Sequence, residues 1–175
     1  MTIITFIKAD IAQHKDVLIG MNIEYMSWVA TKIEQEFGMA TEALLGMSLA
    51  EYVPGALDKI CGTNTADGMF YLLKVDEQYA AMGGIRGIGA GVAEIKRLYV
   101  LPAFRGLRLG DMLLQRLLDD VRKLGYQQVR LDSAPFMQAA HRLYEAAGFT
   151  DCPPYEAAEV PAVLHAGWRF MELRL

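Results

Sequence analysis

KRLYVLPAFRGLRLG, residues 96 to 110, contains an apolar run, Leu98-Tyr99-Val100-Leu101, that stops at Pro102 and gives way to a basic loop with glycine. Beyond the loop, Leu109, Met112, Leu113, Leu117 and Val121 recur at spacings of three and four, the repeat of one helix face. The pattern predicts a helix from about Gly106 to Leu124, with Gly125 suited to the position after its last turn. Strand, basic loop and helix N-terminus together form an anion-binding layout. The first N–H groups of a helix have no internal partner and sit at the positive end of the helix dipole. A phosphate placed there gains hydrogen bonds and charge attraction together. Arg105 and Arg108 add fixed positive charge, and Gly106 and Gly110 let a ligand come close to the backbone.

Working outward from this stretch, Ile3 to Ile7 reads as an opening strand. A long helical pattern follows, with Asp10 as N-cap and an end near Gly38. Ser48-Leu49-Ala50-Glu51 is a capping box that starts a second, shorter helix toward Ile60, and Pro54-Gly55 predicts a kink or break within it. Gly62 to Gly68 is a turn-rich loop. Met69 to Val75 and Tyr79 to Ile85 form a hairpin around Asp76-Glu77-Gln78. Gly83, Gly84, Gly87, Gly89 and Gly91 predict a flexible link before a strand over Val92 to Leu101. After the motif helix come a strand at Gln128 to Asp132, a helix opened by Pro135 and ended at Gly148, and short strands at Phe149 to Cys152 and Trp168 to Leu175. The expected fold is α/β (α+β), a single domain over residues 1–175. It has one central, mostly antiparallel mixed sheet flanked by helices, and a parallel, splayed strand pair brackets the motif helix.

Arg105-Gly106-Leu107-Arg108-Leu109-Gly110 resembles the acetyl-CoA pyrophosphate loop of the GNAT family of N-acetyltransferases, whose pattern is Q/R-x-x-G-x-G/A. The outer Arg and the final Gly match, and Arg108 stands where the strict pattern has Gly. An arginine there either strains the loop or sets a guanidinium on a phosphate. Downstream, Leu143-Tyr144-Glu145-Ala146-Ala147-Gly148-Phe149 resembles the family's LYExxGF segment. The resemblance is close over about Glu94 to Phe149, and it implies an acyltransferase that binds acetyl-CoA as co-substrate. It implies cofactor contacts at Leu98, Tyr99, Val100, Arg105, Gly106, Leu107, Arg108, Leu109 and Gly110. Leu98 and Val100 would act through their backbones on the pantetheine arm. Met137 occupies a position where many members carry an asparagine that touches the cofactor arm, so that contact is absent or replaced.

Moving an acetyl group from a thioester to an amine needs a free amine, and a lysine-like amine of pKa about 10.4 carries a deprotonation cost of roughly 4–5 kcal/mol at pH 7. Glu94, in Ala93-Glu94-Ile95, is similar to the strand glutamate that serves some family members as general base. The competing reading is a solvent-facing charge that shares a strand face with Lys96. Tyr144 matches the general acid toward the departing thiolate. It also lies on a helical stripe with Phe136, Ala140, Leu143 and Ala147, which is a core pattern. His141 reads as a helix-surface imidazole.

With 175 residues the chain can bury about two thirds of its unfolded surface. The N-terminal stretch MTIITFIKAD has no basic leader or cleavage pattern, and no apolar run is long enough to span a membrane, so a cytoplasmic location and no membrane partner are expected. A net charge of −4 argues against a nucleic-acid partner. The two cysteines, Cys61 and Cys152, lack metal-ligand spacing, so no metal is expected. A homodimer is left open. The loop lacks the lysine and hydroxyl of a nucleotide phosphoryl-transfer loop. Two readings remain: an acetyl-CoA-dependent N-acetyltransferase attacked directly by a primary amine, or an acyl-CoA-binding module of the same fold. The acceptor is open among a small amine, an amino acid and a peptide terminus. Its pocket is expected from Met21 to Glu36, the 62–68 loop and the Pro-rich C-terminal link.

Overall fold

The structure is a computed structural model that describes residues 1–62 and 67–175. The chain opens with strand β1 (Ile4–Lys8), followed by helices α1 (Ile11–Phe37), α2 (Thr41–Leu45), α3 (Leu49–Gly55) and α4 (Leu57–Cys61). Strands β2 (Gly68–Val75), β3 (Gln78–Gly87) and β4 (Val92–Val100) make the meander. Helix α5 (Leu109–Lys123), strand β5 (Gln128–Ser133), helix α6 (Gln138–Ala146) and strands β6 (Thr150–Asp151) and β7 (Arg169–Arg174) complete the order. Short 3-10 turns cover Pro102–Phe104 and Ala162–Gly167.

The strands form one sheet in the order β1-β2-β3-β4-β5-β7-β6, antiparallel throughout except for the parallel pair β4–β5. Strand β2 explains why helices cover both faces. Its successive residues are almost all apolar, so neither face can be left to water. Phe70 and Leu72 pack with Leu18 and Met21 of α1 and with Val53, Leu57 and Ile60 of α3 and α4. Tyr71, Leu73 and Val75 face the opposite way, onto Leu113, Leu114, Leu117 and Val121 of α5. The predicted caps hold. The Asp10 side chain accepts from the Gln13 N–H, Gly38 closes α1 in the left-handed region, and Ser48 and Glu51 exchange both capping-box hydrogen bonds.

Several sequence expectations shift. Pro54 and Gly55 do break the helical run, into α3 and α4, while α2 was not anticipated. The motif helix starts at Leu109 rather than near Gly106, because residues 105–108 form the loop, and α6 starts at Gln138 rather than at Pro135. Of the 62–68 loop, residues 63–66 lie outside the described residues. Gly83, Gly84 and Gly87 are not in a flexible link but inside β3. Gly84 pairs with Phe70, and a Cβ there would overlap the Phe70 ring and sit 2.6 Å from the Met69 carbonyl oxygen. The glycine is a packing requirement. Gly84→Ala is therefore expected to destabilise the fold by about 2–3 kcal/mol, the cost of forcing an overpacked contact. Urea unfolding measures it, and an unchanged midpoint would contradict this packing.

Candidate active site

The site is created where β4 and β5 stop pairing. Their parallel register covers only Val92–Gln128, Ala93–Val129 and Glu94–Arg130. Beyond Glu94 the two strands run on without a shared ladder, and a cleft opens between them.

A second irregularity reverses which β4 side chains face which way. The register with β3 passes from Gly84–Lys96 to Met82–Tyr99, so β4 carries one residue more than β3 across this interval. Arg97 lies in that bulge and adopts φ 57°. Before it, Ala93 and Ile95 pack with the α5 side; after it, Leu98 and Val100 do, while Tyr99 joins the α1 side. Strict alternation would have put Leu98 and Val100 on the same face as Glu94.

Two cavities result. The larger, of about 470 Å³, is lined by Leu98, Tyr99, Val100, Arg105, Gly106, Arg108, Leu109 and Gly110, and by Met137 and Leu143 across from them. Sequence-predicted positions far apart along the chain therefore share one wall. Leu107 is 44% exposed and is not part of that wall. Helix α5 begins here with no side-chain cap, so the N–H groups of its first turn are left for a ligand. Gly106 and Arg108 both take left-handed backbone, with φ 88° and φ 57°. The arginine thus adopts a left-handed conformation that favours glycine. Its side chain stays exposed and lies 3.5 Å from Asp111. Arg105 donates to the Val100 carbonyl at 3.3 Å and lies over the Tyr99 ring.

The second cavity, of about 200 Å³, lies on the α1 side and shares Tyr25 with the first. Its walls come from α1, within the expected 21–36 stretch, from the 159–168 segment of the C-terminal link and from the unanticipated 41–52 stretch, while residues 63–66 of the expected 62–68 loop lie outside the described residues. Glu94 lines it and is only 2% exposed, which removes the solvent-facing reading of this residue. Arg86 donates to the Glu94 carboxylate at 3.2 Å, to Glu159 at 3.0 Å and to the Ala157 carbonyl at 2.8 Å. Lys96 donates to Glu159 at 3.1 Å. Burial outweighs the attraction of Arg86 and pushes the Glu94 pKa up to about 7.

Tyr144 is buried against Phe149 behind these walls, with its hydroxyl pKa raised first by burial and then by Tyr25 and Asp132. Its ring belongs to the core, and its hydroxyl makes no hydrogen bond among the described residues. His141 is half-buried, with Nε2 3.1 Å from the Ser133 hydroxyl, so it is not a free surface imidazole.

The sequence model of the acetyltransferase (GNAT) family matches residues 33–149. The chain belongs to that family. An uncharacterized N-acetyltransferase of Schizosaccharomyces pombe is 40% identical over 77 residues, 44% of this chain and 47% of that protein. The chain thus spans about half the length of that relative. An uncharacterized N-acetyltransferase of Escherichia coli is 26% identical over 125 residues, 69% of this chain and 72% of the other. Among solved structures, a GNAT-family acetyltransferase of Staphylococcus aureus superposes with a TM-score of 0.72 at 16% identity, covering 99% of each chain. The PaiA N-acetyltransferase of Thermoplasma acidophilum, solved in complex with coenzyme A, gives 0.69 at 19% identity, again over 99% of each chain. Both share the fold.

The sequence reading missed Tyr25, Arg97 and Asp132. Tyr25 falls within the stretch assigned to the acceptor pocket but has no distinguishing pattern. Arg97 is hidden in the apolar strand run, and Asp132 looks like the polar end of a short strand. Only the bulge and the divergence of β4 from β5 bring them together.

The left-handed backbone at Arg108 costs roughly 1–3 kcal/mol in a residue with a Cβ, partly offset by the greater chain entropy that a glycine loses on folding. Arg108→Gly is expected to raise stability by about 1 kcal/mol and, by removing a guanidinium from the cleft wall, to weaken coenzyme A binding. Thermal unfolding and calorimetry together check both signs. A variant that is less stable, or binds more tightly, contradicts the assignment.

Proposed function

We propose that the protein is an acetyl-CoA-dependent N-acetyltransferase whose acceptor is a primary amine that attacks the thioester directly. The observation that carries this reading is that two cavities share Tyr25 as a wall residue, one with an uncapped helix N-terminus and two arginines, the other with a buried carboxylate. Acetyl-CoA fits the larger cavity with its pyrophosphate on the first turn of α5 and near Arg105 and Arg108, where N–H donors and positive charge converge. The free side of β4 at Leu98 to Val100 offers backbone groups to the pantetheine arm.

The nitrogen must shed two protons in all. Glu94 takes the first from the ammonium, and a carboxylate with a pKa of about 7 is a well-matched acceptor at neutral pH. As the N–C bond forms and the C–S bond breaks, the second proton ends on the thiolate, supplied through the Tyr144 hydroxyl. Direct attack is favoured over a cysteine acyl-enzyme because neither cysteine lines either of these two cavities, and burial pushes Cys61 up to about 12.

Because Glu94 works as the carboxylate, kcat/KM should rise with pH through about 7. Glu94→Gln is expected to erase that rise and lower kcat/KM at neutral pH by about 100-fold, with partial recovery at high pH, where more of the amine is already free. A steady-state coenzyme A release profile from pH 6 to 10 checks this, and a wild-type-like profile in the variant rejects Glu94 as the base. The same raised pKa means that the folded state holds this proton more tightly than the unfolded chain. Ionising Glu94 therefore weakens the fold as pH rises from its ordinary 4.5 through about 7.

Tyr144→Phe keeps the ring against Phe149 and deletes only the hydroxyl. The expected result is kcat lowered by about tenfold or more, with melting temperature and acetyl-CoA affinity nearly unchanged. Intact turnover would leave Tyr144 as core and give the proton transfer to water.

A further inference from the structure

The second cavity is lined by three acidic and two basic side chains, two of which have no ion-pair partner among the described residues. Five charged side chains line it: Glu94, Lys96, Arg97, Asp132 and Glu159. Three of them are satisfied within the protein. Glu94 is held by Arg86, and Glu159 is shared among Lys59, Arg86 and Lys96. Arg97 and Asp132 are different. Arg97 forms no ion pair among the described residues; its guanidinium lies over the Tyr25 ring at 5.4 Å from the centroid. Asp132 accepts one hydrogen bond, from the Trp168 Nε1–H at 2.9 Å, and likewise has no ion-pair partner among the described residues. Each feels the charge of the other, yet they do not close into a bridge. Arg97 is also held in left-handed backbone, a conformation that a Cβ-bearing residue adopts at a cost. It lines only this cavity and not the one with the phosphate-binding helix terminus.

Most of the rest of the wall is apolar, with Tyr25, Thr41 and Tyr52 adding hydroxyl-bearing side chains. Met26, Val29, Ile33, Leu45 and Leu164 are among the side chains that close it, with Trp168 beside Asp132. A cavity of about 200 Å³ with these walls suits one small apolar group.

We propose that the acceptor is a free α-amino acid with an apolar side chain, bound as its zwitterion, with the carboxylate on Arg97 and the ammonium on Asp132 beside Glu94. One unpaired guanidinium and one unpaired carboxylate facing the same small cavity complement the two charges of a zwitterion. A plain amine would leave the Arg97 guanidinium without a partner of its own, and a peptide N-terminus has no carboxylate on the carbon next to its nitrogen. Glu94 then takes one ammonium proton and the nitrogen forms the amide. The products are the N-acetyl amino acid, coenzyme A and one proton released to solvent. Arg97 is a binding residue in this scheme, set on its bulge to read the substrate carboxylate. The proposal rests on the acetyl-transfer reading for turnover, though not for binding.

The test uses the full chain. L-leucine, L-methionine and L-phenylalanine are compared with leucinamide, isoamylamine and a leucyl dipeptide, by coenzyme A release at saturating acetyl-CoA. The same compounds are titrated calorimetrically into protein saturated with coenzyme A. Free amino acids are expected to exceed the amide and the amine by at least about 10-fold in kcat/KM and in affinity, the scale of losing a charge-assisted pair. Arg97→Asn, chosen because asparagine tolerates left-handed backbone, should reduce that preference to within about 3-fold, through KM with kcat largely held. Its melting temperature reports whether the bulge survives, and if it does not, Arg97→Lys, which keeps a charge without the fork, should show an intermediate preference. Amides or amines equal to or better than the free acids in the wild type overturn the proposal. So does an Arg97→Asn effect that is the same for compounds with and without a carboxylate. Turnover of amines without such a preference sinks this inference and leaves the acetyl-transfer reading standing. Carboxylate-dependent binding without any turnover does the reverse.

Discussion

Everything at the site depends on β4 and β5 being partners for three residues and then no longer. A parallel ladder satisfies backbone groups on both strands, so ending it early exposes donors and acceptors that must find something else. The gap is flanked by α5 on one side and α1 on the other, and each side makes its own cavity from it. The bulge at Arg97 lets one strand serve both, because it exchanges the faces to which odd- and even-numbered residues point. Upstream of the bulge β4 offers Glu94 and Lys96 to the α1 side. Downstream it offers Leu98 and Val100 to the α5 side, next to the loop that carries Arg105 and Arg108.

The electrostatics divide along the same line. The larger cavity is basic and ends on a helix N-terminus with no cap of its own, so its positive end is available to a phosphate. The smaller one holds carboxylates in a desolvated setting, where burial raises Glu94 and Asp132 toward their neutral forms. Arg86 limits that rise at Glu94 and also binds Glu159 and the Ala157 carbonyl. It thereby ties the 157–159 segment to the sheet, with Lys59 and Lys96 also on Glu159. One arginine thus both tempers the basicity of Glu94 and helps close the pocket wall. Its two roles are coupled, since a change at Glu159 redistributes the charge that Glu94 feels.

Membership of the GNAT family rests on the match over residues 33–149, and the solved structures that superpose over nearly the whole chain do so at identities that speak for the fold alone. Local chemistry therefore has to be argued from this chain's own residues. Arg108 illustrates the point. An arginine occupies a glycine position of the pattern and does so in the left-handed region. Tyr144 illustrates it from the other side: its ring is firmly part of the core, and only its hydroxyl is in question.

What the sequence determined by itself is what depends on neighbours along the chain. Caps at Asp10, Ser48 and Gly38, the break at Pro54-Gly55, the hairpin around Asp76 and the loop-helix unit at 105–123 follow from spacing and side-chain chemistry within a few residues. The alternation of strands and helices, read with the family resemblance, was enough for a mostly antiparallel sheet with one parallel strand pair. Tertiary structure alone decided the rest. Gly84 looked like a hinge because nothing local shows the Phe70 ring that lies across it. Glu94 could be read equally as a base or as a solvent-facing charge, because the cavity walls it shares with α1 and the 159–168 segment come from parts of the chain distant in sequence. Arg97 and Asp132 looked like ordinary strand residues. A bulge is one extra residue between two strands, and a splay is where a ladder ends. Both are properties of a pair of strands, so no single strand's sequence can announce them.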